Sequence, residues 1–562
     1  MVRLRRGSPD RRDALAIGLI GLLWVVMSLA VNPIGDFPLN DDWLYGGTVK
    51  ALLAGDGFHV PGAVRGPTIA NFLSQAVWGA AFCLPFGFSF TALRVSTLVL
   101  GFIGLAFFFA LVRENGGNRR IAAAATLTIA VNPFWFGLAE SFMTDVPFVA
   151  LMIVSIYFLA RSLRIDSTSS LIAGIIVSFT AILLKQVGFA PLLGFAVANA
   201  VKHRFRVRPS LAGVLPLVLG CVLHFGFRDW VLSTGRGSFI AAQIIPLEPG
   251  SLISWSGHVA LWALPYVGLS LVPIVAMTGV LPRAIRGTRA AGIAWVCVGA
   301  FIVAGTSLLW SKGDLIPSLS NIFNDFGMGP LTQRDTYLLH LNLPPVTDWT
   351  AGFWIDVTAC GLLGIVALFT VGVAGLFPRA AALWRGRTDG NDWLWVMAAV
   401  TGIGYWTAIV LLATQTGEFF DRYVLPVVPI ALILMVVGAR ESPVRRGGLT
   451  GAILIVMGGL SVAAAHDYLA WNRTRWTAVR ELTGRLGVAP ADIDGGYEVN
   501  GSLMYRPGFF SPPGKSWWWV GQDDYVLASG PLQGYREIMR YPITGKLLPV
   551  GLRQIVILRR DR

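Results

Sequence analysis

The chain has 562 residues, of which 54% are hydrophobic and only 14% charged, with a mean hydropathy of +0.63. Soluble domains carry about 25% charged residues, so this composition excludes a water-soluble globular protein. The net charge of +14 comes without a compact basic patch interleaved with aromatics, which argues against nucleic acid as a partner.

The apolar residues fall in runs of roughly 18 to 25, the length that crosses about 30 Å of hydrocarbon as helix. Only helices and closed barrels satisfy their backbone polar groups inside lipid, and no strand alternation is present. The expected fold class is therefore a polytopic α-helical membrane protein. The first predicted span covers about 14–31, behind Arg3, Arg5, Arg6, Arg11 and Arg12. A basic start before an apolar run suits a secretory signal, but this run is long enough to span and no Ala-x-Ala cleavage site follows. It reads as an uncleaved span with a cytoplasmic N-terminus.

Next comes a long outer loop, about 34–91. Its apolar stretch from Ile69 to Phe86 is interrupted by Asn71, Gln75 and Pro85 and reads as an interfacial or re-entrant helix. Further spans are predicted at about 92–112, 121–139, 145–160, 169–184, 187–201, 210–227, 258–282, 290–309, 353–377, 392–413, 422–439 and 448–465, about 13 in all. In this arrangement the inner segments carry 23 Lys or Arg, whereas the outer loops hold only scattered ones such as Lys50, Lys185, Lys312 and Arg422. That asymmetry follows the positive-inside rule, and an odd number of spans puts the C-terminus outside. A second long outer loop, about 311–352, contains GMGPLTQRDTYLLHLNLPP and reads as an ordered loop or lid.

Composition changes at His466. An amphipathic helix is predicted to Leu486, then strand-like runs at Tyr497–Val499, Asp524–Leu527 and Gln554–Leu558. Residues 466–562 are expected to form a small outer α/β domain after a membrane module of residues 1–465. The run Trp517-Trp518-Trp519 fits a membrane interface, a buried core or a sugar-stacking surface equally well. The four cysteines, Cys83, Cys221, Cys297 and Cys360, lie far apart without a CxxC, and the six histidines form no HExxH. Neither a disulfide framework nor a zinc site is implied.

Four polar constellations stand out at span ends on the outer face. The first is FPLNDDWLYGG, where Asp41 and Asp42 sit among Phe37, Leu39, Trp43 and Tyr45. Apolar surroundings raise a carboxyl pKa or orient the group as a general base; a solvated polar loop is the plain alternative. The second is SFMTDVPF, with Asp145 at the start of a span and Glu140 nearby. An acid there also serves as a simple helix N-terminal charge. In the third, LLKQVGF, Lys185 either reaches the headgroups or binds an anion. In the fourth, EFFDRYVLPVVP, Arg422 and Tyr423 follow Asp421, and Arg suits phosphate oxygens unless it merely pairs with Asp421.

The acidic pair after the first span, an acid in the second outer loop, about thirteen spans and an outer C-terminal domain together resemble the GT-C glycosyltransferases. The nearest branch is the one containing protein O-mannosyltransferases and aminoarabinose transferases. The resemblance is clearest over about 37–200 and extends to RYVLPVVP. It implies a GT-C fold and inverting transfer of a sugar from a polyprenyl-phosphate donor to a lipid, glycan or protein acceptor at the outer face of the cell membrane. By the same resemblance Asp41 is the base, Asp42 its partner and Asp145 the second-loop acid, while Lys185, Arg422 and Tyr423 meet the donor phosphate. The family motif is commonly Asp-Glu, so Asp42 departs from it, and which of Asp41 and Asp42 acts stays open. Some relatives use a divalent cation and others none, so a metal is left undecided. Two other functions fit the composition. A transporter or flippase of lipid-linked sugar would favour ionisable groups in mid-membrane and internal repeats. An O-antigen ligase or polymerase would rest on Arg334 and His340.

Overall fold

The computed structural model describes residues 10–60, 71–236, 249–279, 321–339, 348–385, 390–417, 419–438, 446–506 and 508–561, with isolated positions between 292 and 307. The helices, in chain order, are α1 (Arg11–Val31), α2 (Asp42–Ala54), α3 (Leu73–Cys83), α4 (Phe90–Glu114), α5 (Arg119–Ala130), α6 (Pro133–Ala139), α7 (Asp145–Ile165) and α8 (Thr168–Ile182). They continue with α9 (Ala190–Lys202), α10 (Val207–Ser233), α11 (Pro249–Thr278), α12 (Ala351–Arg385), α13 (Gly390–Thr416), α14 (Val427–Gly438), α15 (Gly447–Arg480) and α16 (Tyr497–Met504). Among the described residues, nine helical spans are long and apolar enough to cross a membrane, or ten if α5 and α6 count as one.

The count of about 13 is thus not reached within the described residues. The predicted span at 290–309 lies largely outside them. The span predicted over 121–139 is broken: α5 and α6 meet at 59°. The cause is local, since Asn132 caps α6 through Phe134 N (2.9 Å) and Trp135 N (3.3 Å), and Pro133 occupies its first turn. Helices α8 and α9 hold 15 and 13 residues, short of a full crossing at 1.5 Å per residue. The interrupted stretch before Phe86 forms the 11-residue helix α3, with Gln75 buried and bonded to the Phe142 carbonyl (2.7 Å).

Ion pairs gather at one end of the bundle. Arg113 and Arg119 meet Asp13 at 3.0 and 2.5 Å, Arg161 and Arg164 meet Glu114, and Lys202 meets Asp166. Partly exposed pairs are worth about 0–1 kcal/mol each, so they mark this end more than they hold it. Apolar packing does the holding. Where α11 crosses α12, Gly268 lies so close to Gly361 and Gly364 that a methyl group on it would overlap the Gly361 carbonyl. Close approach through small residues is the means by which helices associate where lipid is as apolar as their side chains.

Helices α1, α4 and α7 each connect this basic end to an opposite end, α1 starting at the basic end and α4 and α7 finishing there, and the C-terminal domain sits at the opposite end. The expected division near 465 falls inside α15, a single 34-residue helix that carries the chain from the bundle into the domain without a break. The domain has a four-stranded sheet of β3 (Ile493–Asp494), β4 (Tyr525–Ala528), β5 (Tyr535–Pro542) and β6 (Gln554–Arg560), in the order β3-β4-β6-β5. The pair β3/β4 is parallel; β4/β6 and β5/β6 are antiparallel. Central β6 is buried on both faces. Ile555 and Ile557 pack with Val479 and Leu482 of the α15 side, and Val556 and Leu558 pack with Val526 and Leu532 on the other. The strands at 524–527 and 554–558 are found with small boundary shifts, but Tyr497–Val499 is helical, the first turn of α16, not a strand. Of the three tryptophans, Trp518 and Trp519 are core, at 1% and 3% exposed, while Trp517 is 40% exposed.

In the loop between bundle spans, β1 (Phe323–Asn324) and β2 (Gly327–Met328) form a two-stranded antiparallel turn. Asp421 fixes this loop to the bundle by accepting from Ile322 N (2.8 Å) and Phe323 N (2.9 Å).

Candidate active site

The loop after α1 is shaped by Arg94. This fully buried guanidinium donates to the carbonyls of Pro33 (3.0 Å), Gly35 (2.7 Å) and Phe37. A buried cation surrounded by carbonyls fixes a chain that has no regular structure of its own. Asn40 then adopts a left-handed conformation (φ 51°), which Asn tolerates better than most residues. That turn separates the two aspartates.

Asp42 points inward and is fully buried, accepting from Leu39 N (3.2 Å) and Phe142 N (2.9 Å). Burial pushes its carboxyl up to about 7, against the charge of Arg94 and the two amide bonds. It clamps the loop after α1 to the α6–α7 connection. Asp41 points the other way. It stands at the N-cap of α2, yet its side chain makes no capping bond; its backbone carbonyl accepts from Leu44 N and Tyr45 N instead. The freed carboxylate accepts from the Tyr497 hydroxyl (2.9 Å).

Opposite this motif, Asp145 opens α7 and accepts from Lys185 Nζ at 2.6 Å, while its second oxygen, also buried, has no hydrogen-bond partner. Lys185 sits on the turn between α8 and α9, its ammonium 5.9 Å from the Phe148 ring centroid. Arg422 is not paired with Asp421, whose oxygens accept backbone amides, including Arg422 N (2.7 Å). Its guanidinium lies over Phe420 (4.8 Å) and beside Tyr423 (5.8 Å). The Tyr423 carbonyl is held by the Tyr405 hydroxyl (2.9 Å).

Arg422 lies within electrostatic range of Asp41, Asp145, Tyr45 and Tyr423, and Lys185 within range of Asp41, Asp145 and Arg422. The structure therefore brings Asp41, Asp145, Lys185, Arg422 and Tyr423 together at one end of the bundle. Asp42 backs the group but does not face it. Arg334 is elsewhere: it bonds Asp523 (2.7 Å) and the Gly514 carbonyl (3.0 Å) in the C-terminal domain, where Lys515 and Arg560 meet the same carboxylate. His340 lies outside the described residues. Glu140 is buried near Arg94 and Arg473, and burial raises its carboxyl to about 7.

Two tyrosines to which the sequence assigns no role of their own join the group. Tyr45 stacks on Phe72 (4.4 Å) beside Asp41 and Asp145. Tyr497 comes from the C-terminal domain, where its ring packs against Trp43, Trp518 and Trp519 at 5.9–6.0 Å. Burial pushes the Tyr497 hydroxyl well above its ordinary value, so it remains a donor. Next to it, Glu498 accepts from Asn40 N (3.1 Å) and pairs with fully buried Arg475 (2.6 Å), and Thr332 donates to the same carboxylate.

A helical bundle with spans long and apolar enough to cross a membrane thus carries an α/β domain at one end, with acids and cations gathered beneath that domain. Residues 76–225 match the family described as dolichyl-phosphate-mannose-protein mannosyltransferase. Among solved structures, ArnT from Cupriavidus metallidurans bound to undecaprenyl phosphate is 15% identical, with 98% of each chain covered and a TM-score of 0.39. The S. cerevisiae protein O-mannosyltransferase Pmt1-Pmt2 complex bound to the sugar donor is 14% identical over 41% of this chain and 35% of that one, with a TM-score of 0.32. Arabinosyltransferase EmbB from Mycobacterium smegmatis is 12% identical over 86% of this chain and 44% of that one, with a TM-score of 0.33. No curated protein sequence matches.

Proposed function

We propose that the protein transfers a glycosyl group, with inversion, from a polyprenyl-phosphate-linked donor to an acceptor hydroxyl at the non-cytoplasmic face of the cell membrane. The observation that carries this reading is the convergence of two carboxylates, Asp41 and Asp145, with two cations, Lys185 and Arg422, at the end of the bundle opposite the basic segments. The family matched by residues 76–225 is named for a polyprenyl-phosphate sugar donor, and the positive-inside rule puts the basic end in the cytoplasm. The N-terminus is then cytoplasmic and the C-terminal domain outside.

Asp41 accepts the proton of the acceptor hydroxyl as its oxygen bonds to the anomeric carbon. The bond from that carbon to the donor phosphate oxygen breaks, and the electron pair leaves on the polyprenyl phosphate. Lys185 and Arg422 offset the charge that develops there, with Tyr423 beside them; preorganised cations act most strongly where water is excluded. Asp145 holds Lys185 in place. A phosphate monoester is already a good leaving group, so positioning and one base carry most of the barrier reduction. Among the described residues, no three of His, Cys, Asp and Glu stand close enough to form a ligand set for a metal ion. In this reading Lys185 and Arg422 supply the positive charge that neutralises the phosphate.

Incubation of the purified protein with a panel of polyprenyl-phosphate sugars, followed by mass analysis, tests the proposal. Release of free polyprenyl phosphate with a matching glycosylated acceptor is the expected result. Movement of intact lipid-linked sugar across proteoliposomes, with no glycosyl transfer from any donor, would replace this reading with the transporter.

A further inference from the structure

The N-terminal position of a helix is the usual place for an aspartate to accept an amide hydrogen bond from its own first turn. Asp41 holds that position in α2 and does not do so. Its carboxylate is turned instead to Tyr497, 456 residues away in sequence. We propose that Tyr497 is a positioning residue for Asp41, so that the C-terminal domain completes the active site of the membrane module; this rests on the reading of Asp41 as the base.

The contact is held from both sides at consecutive residues. Asn40 N donates to Glu498 (3.1 Å) while Asp41 accepts from Tyr497 (2.9 Å). On the domain side, Tyr497 N donates to the Thr332 carbonyl (2.9 Å), and Gly496 (φ 89°) starts α16 with its Cα packed against Thr332 so tightly that a side chain there would overlap it. On the motif side, Trp43 lies between Tyr497, Tyr505 and Trp519, with ring centroids 5.9, 5.4 and 5.1 Å away. Gly501 of α16 leaves room for the Trp43 indole, which a Cβ would strike.

This packing needs only the ring of Tyr497; the hydroxyl adds a bond to one oxygen of Asp41. That bond fixes the rotation of the carboxylate and leaves the other oxygen free to take the acceptor proton. The hydroxyl stays protonated because burial pushes it well above its ordinary value. It therefore orients Asp41 without competing for the proton.

The test is a double-mutant cycle on kcat, with Tyr497→Phe made in the wild-type and in the Asp41→Asn background. Tyr497→Phe is expected to lower kcat by about 10- to 100-fold, the scale on which small misplacements of catalytic groups act. Equilibrium binding of polyprenyl phosphate and the melting temperature are expected to stay at wild-type values. In the Asp41→Asn background the same change is expected to cost nothing further. An unchanged kcat, or an equal loss in both backgrounds, overturns the inference. Tyr505→Phe, which removes a neighbouring hydroxyl from the same aromatic cluster, is the control for packing; a loss as large as that of Tyr497→Phe also overturns it. The two readings separate cleanly. Full activity in Asp41→Asn removes the base assignment, whereas an inactive Asp41→Asn with a fully active Tyr497→Phe removes only the role of Tyr497.

Discussion

Asp42 and Phe142 are joined by a hydrogen bond of 2.9 Å across 100 residues of sequence, from the Phe142 amide to Asp42 Oδ1. Through it, the second aspartate of the first-loop motif ties that loop to the connection leading into Asp145. The first aspartate is left with its carboxylate facing Tyr497 and the cations. Two chemically identical neighbours thus have different surroundings.

Asp42→Asn is expected to destabilise the protein. An amide offers one oxygen to the two backbone donors, Leu39 N and Phe142 N, and turns its own N–H groups toward the other. A buried donor left unpaired costs about 1–3 kcal/mol. Thermal melting of the purified variant should show the loss, and any fall in transfer should follow the fraction unfolded. A melting temperature equal to wild type, with transfer abolished, would instead make Asp42 the chemical group.

Arg422→Lys and Lys185→Ala separate phosphate binding from folding. Arg422 offers a planar set of donors that an ammonium does not reproduce, so Arg422→Lys is expected to remain substantially impaired. Removal of one preorganised donor to a developing oxyanion typically costs about 10²- to 10³-fold in rate. Lys185→Ala also leaves Asp145 without its partner, and its loss should include weaker donor binding. Titration with polyprenyl phosphate, alongside initial rates, reads both effects; wild-type binding and rates in both variants would remove these residues from the donor site.

Arg334→Ala is expected to lower stability and to spare transfer. Its guanidinium is occupied by Asp523 and the Gly514 carbonyl in the C-terminal domain. Asp523 keeps Lys515 and Arg560 as partners, so the loss should be modest. Abolished transfer with an unchanged melting temperature would favour the ligase-type chemistry that centres on this loop.

The pH dependence of stability has a defined sign at Asp335. This buried carboxyl, held by Ser529 N at 2.6 Å, is raised to about 6 by burial. The folded state therefore binds its proton more tightly than the unfolded state, whose carboxyl titrates near 3.8. The stability it contributes is present below about pH 4 and is lost as pH rises through about 6. Asp335→Asn keeps an acceptor for Ser529 N without the buried charge. Melting curves should show the variant gaining on wild type between pH 4 and pH 7, with the gap constant above that. A gap that is independent of pH would contradict the assignment.

Much of the site's arrangement can be traced in the sequence, because polar residues interrupting a hydrophobic chain are conspicuous. Asp41, Asp145, Lys185 and Arg422 each stand at the end of an apolar run, and alternating spans carry such ends to one face. The break between α5 and α6 was also written locally, in the Asn132-Pro133 pair. Other features were not legible. Which of Asp41 and Asp42 faces inward depends on the left-handed turn at Asn40, and both are equally acidic on paper. Tyr497 sits in a short run whose alternation suggests a strand, and its partner is 456 residues distant. Arg422 and Asp421 look like a surface pair until the Ile322 and Phe323 amides are seen to occupy the aspartate. Contacts of this kind depend on tertiary packing and leave no periodic trace.

The initial rate of sugar transfer from a polyprenyl-phosphate donor, compared between wild type and Asp41→Asn, tests the central claim most directly. Loss of a general base predicts a fall of about 10²- to 10⁴-fold, with the melting temperature and the affinity for polyprenyl phosphate retained. A folded Asp41→Asn enzyme that transfers sugar at the wild-type rate would contradict it.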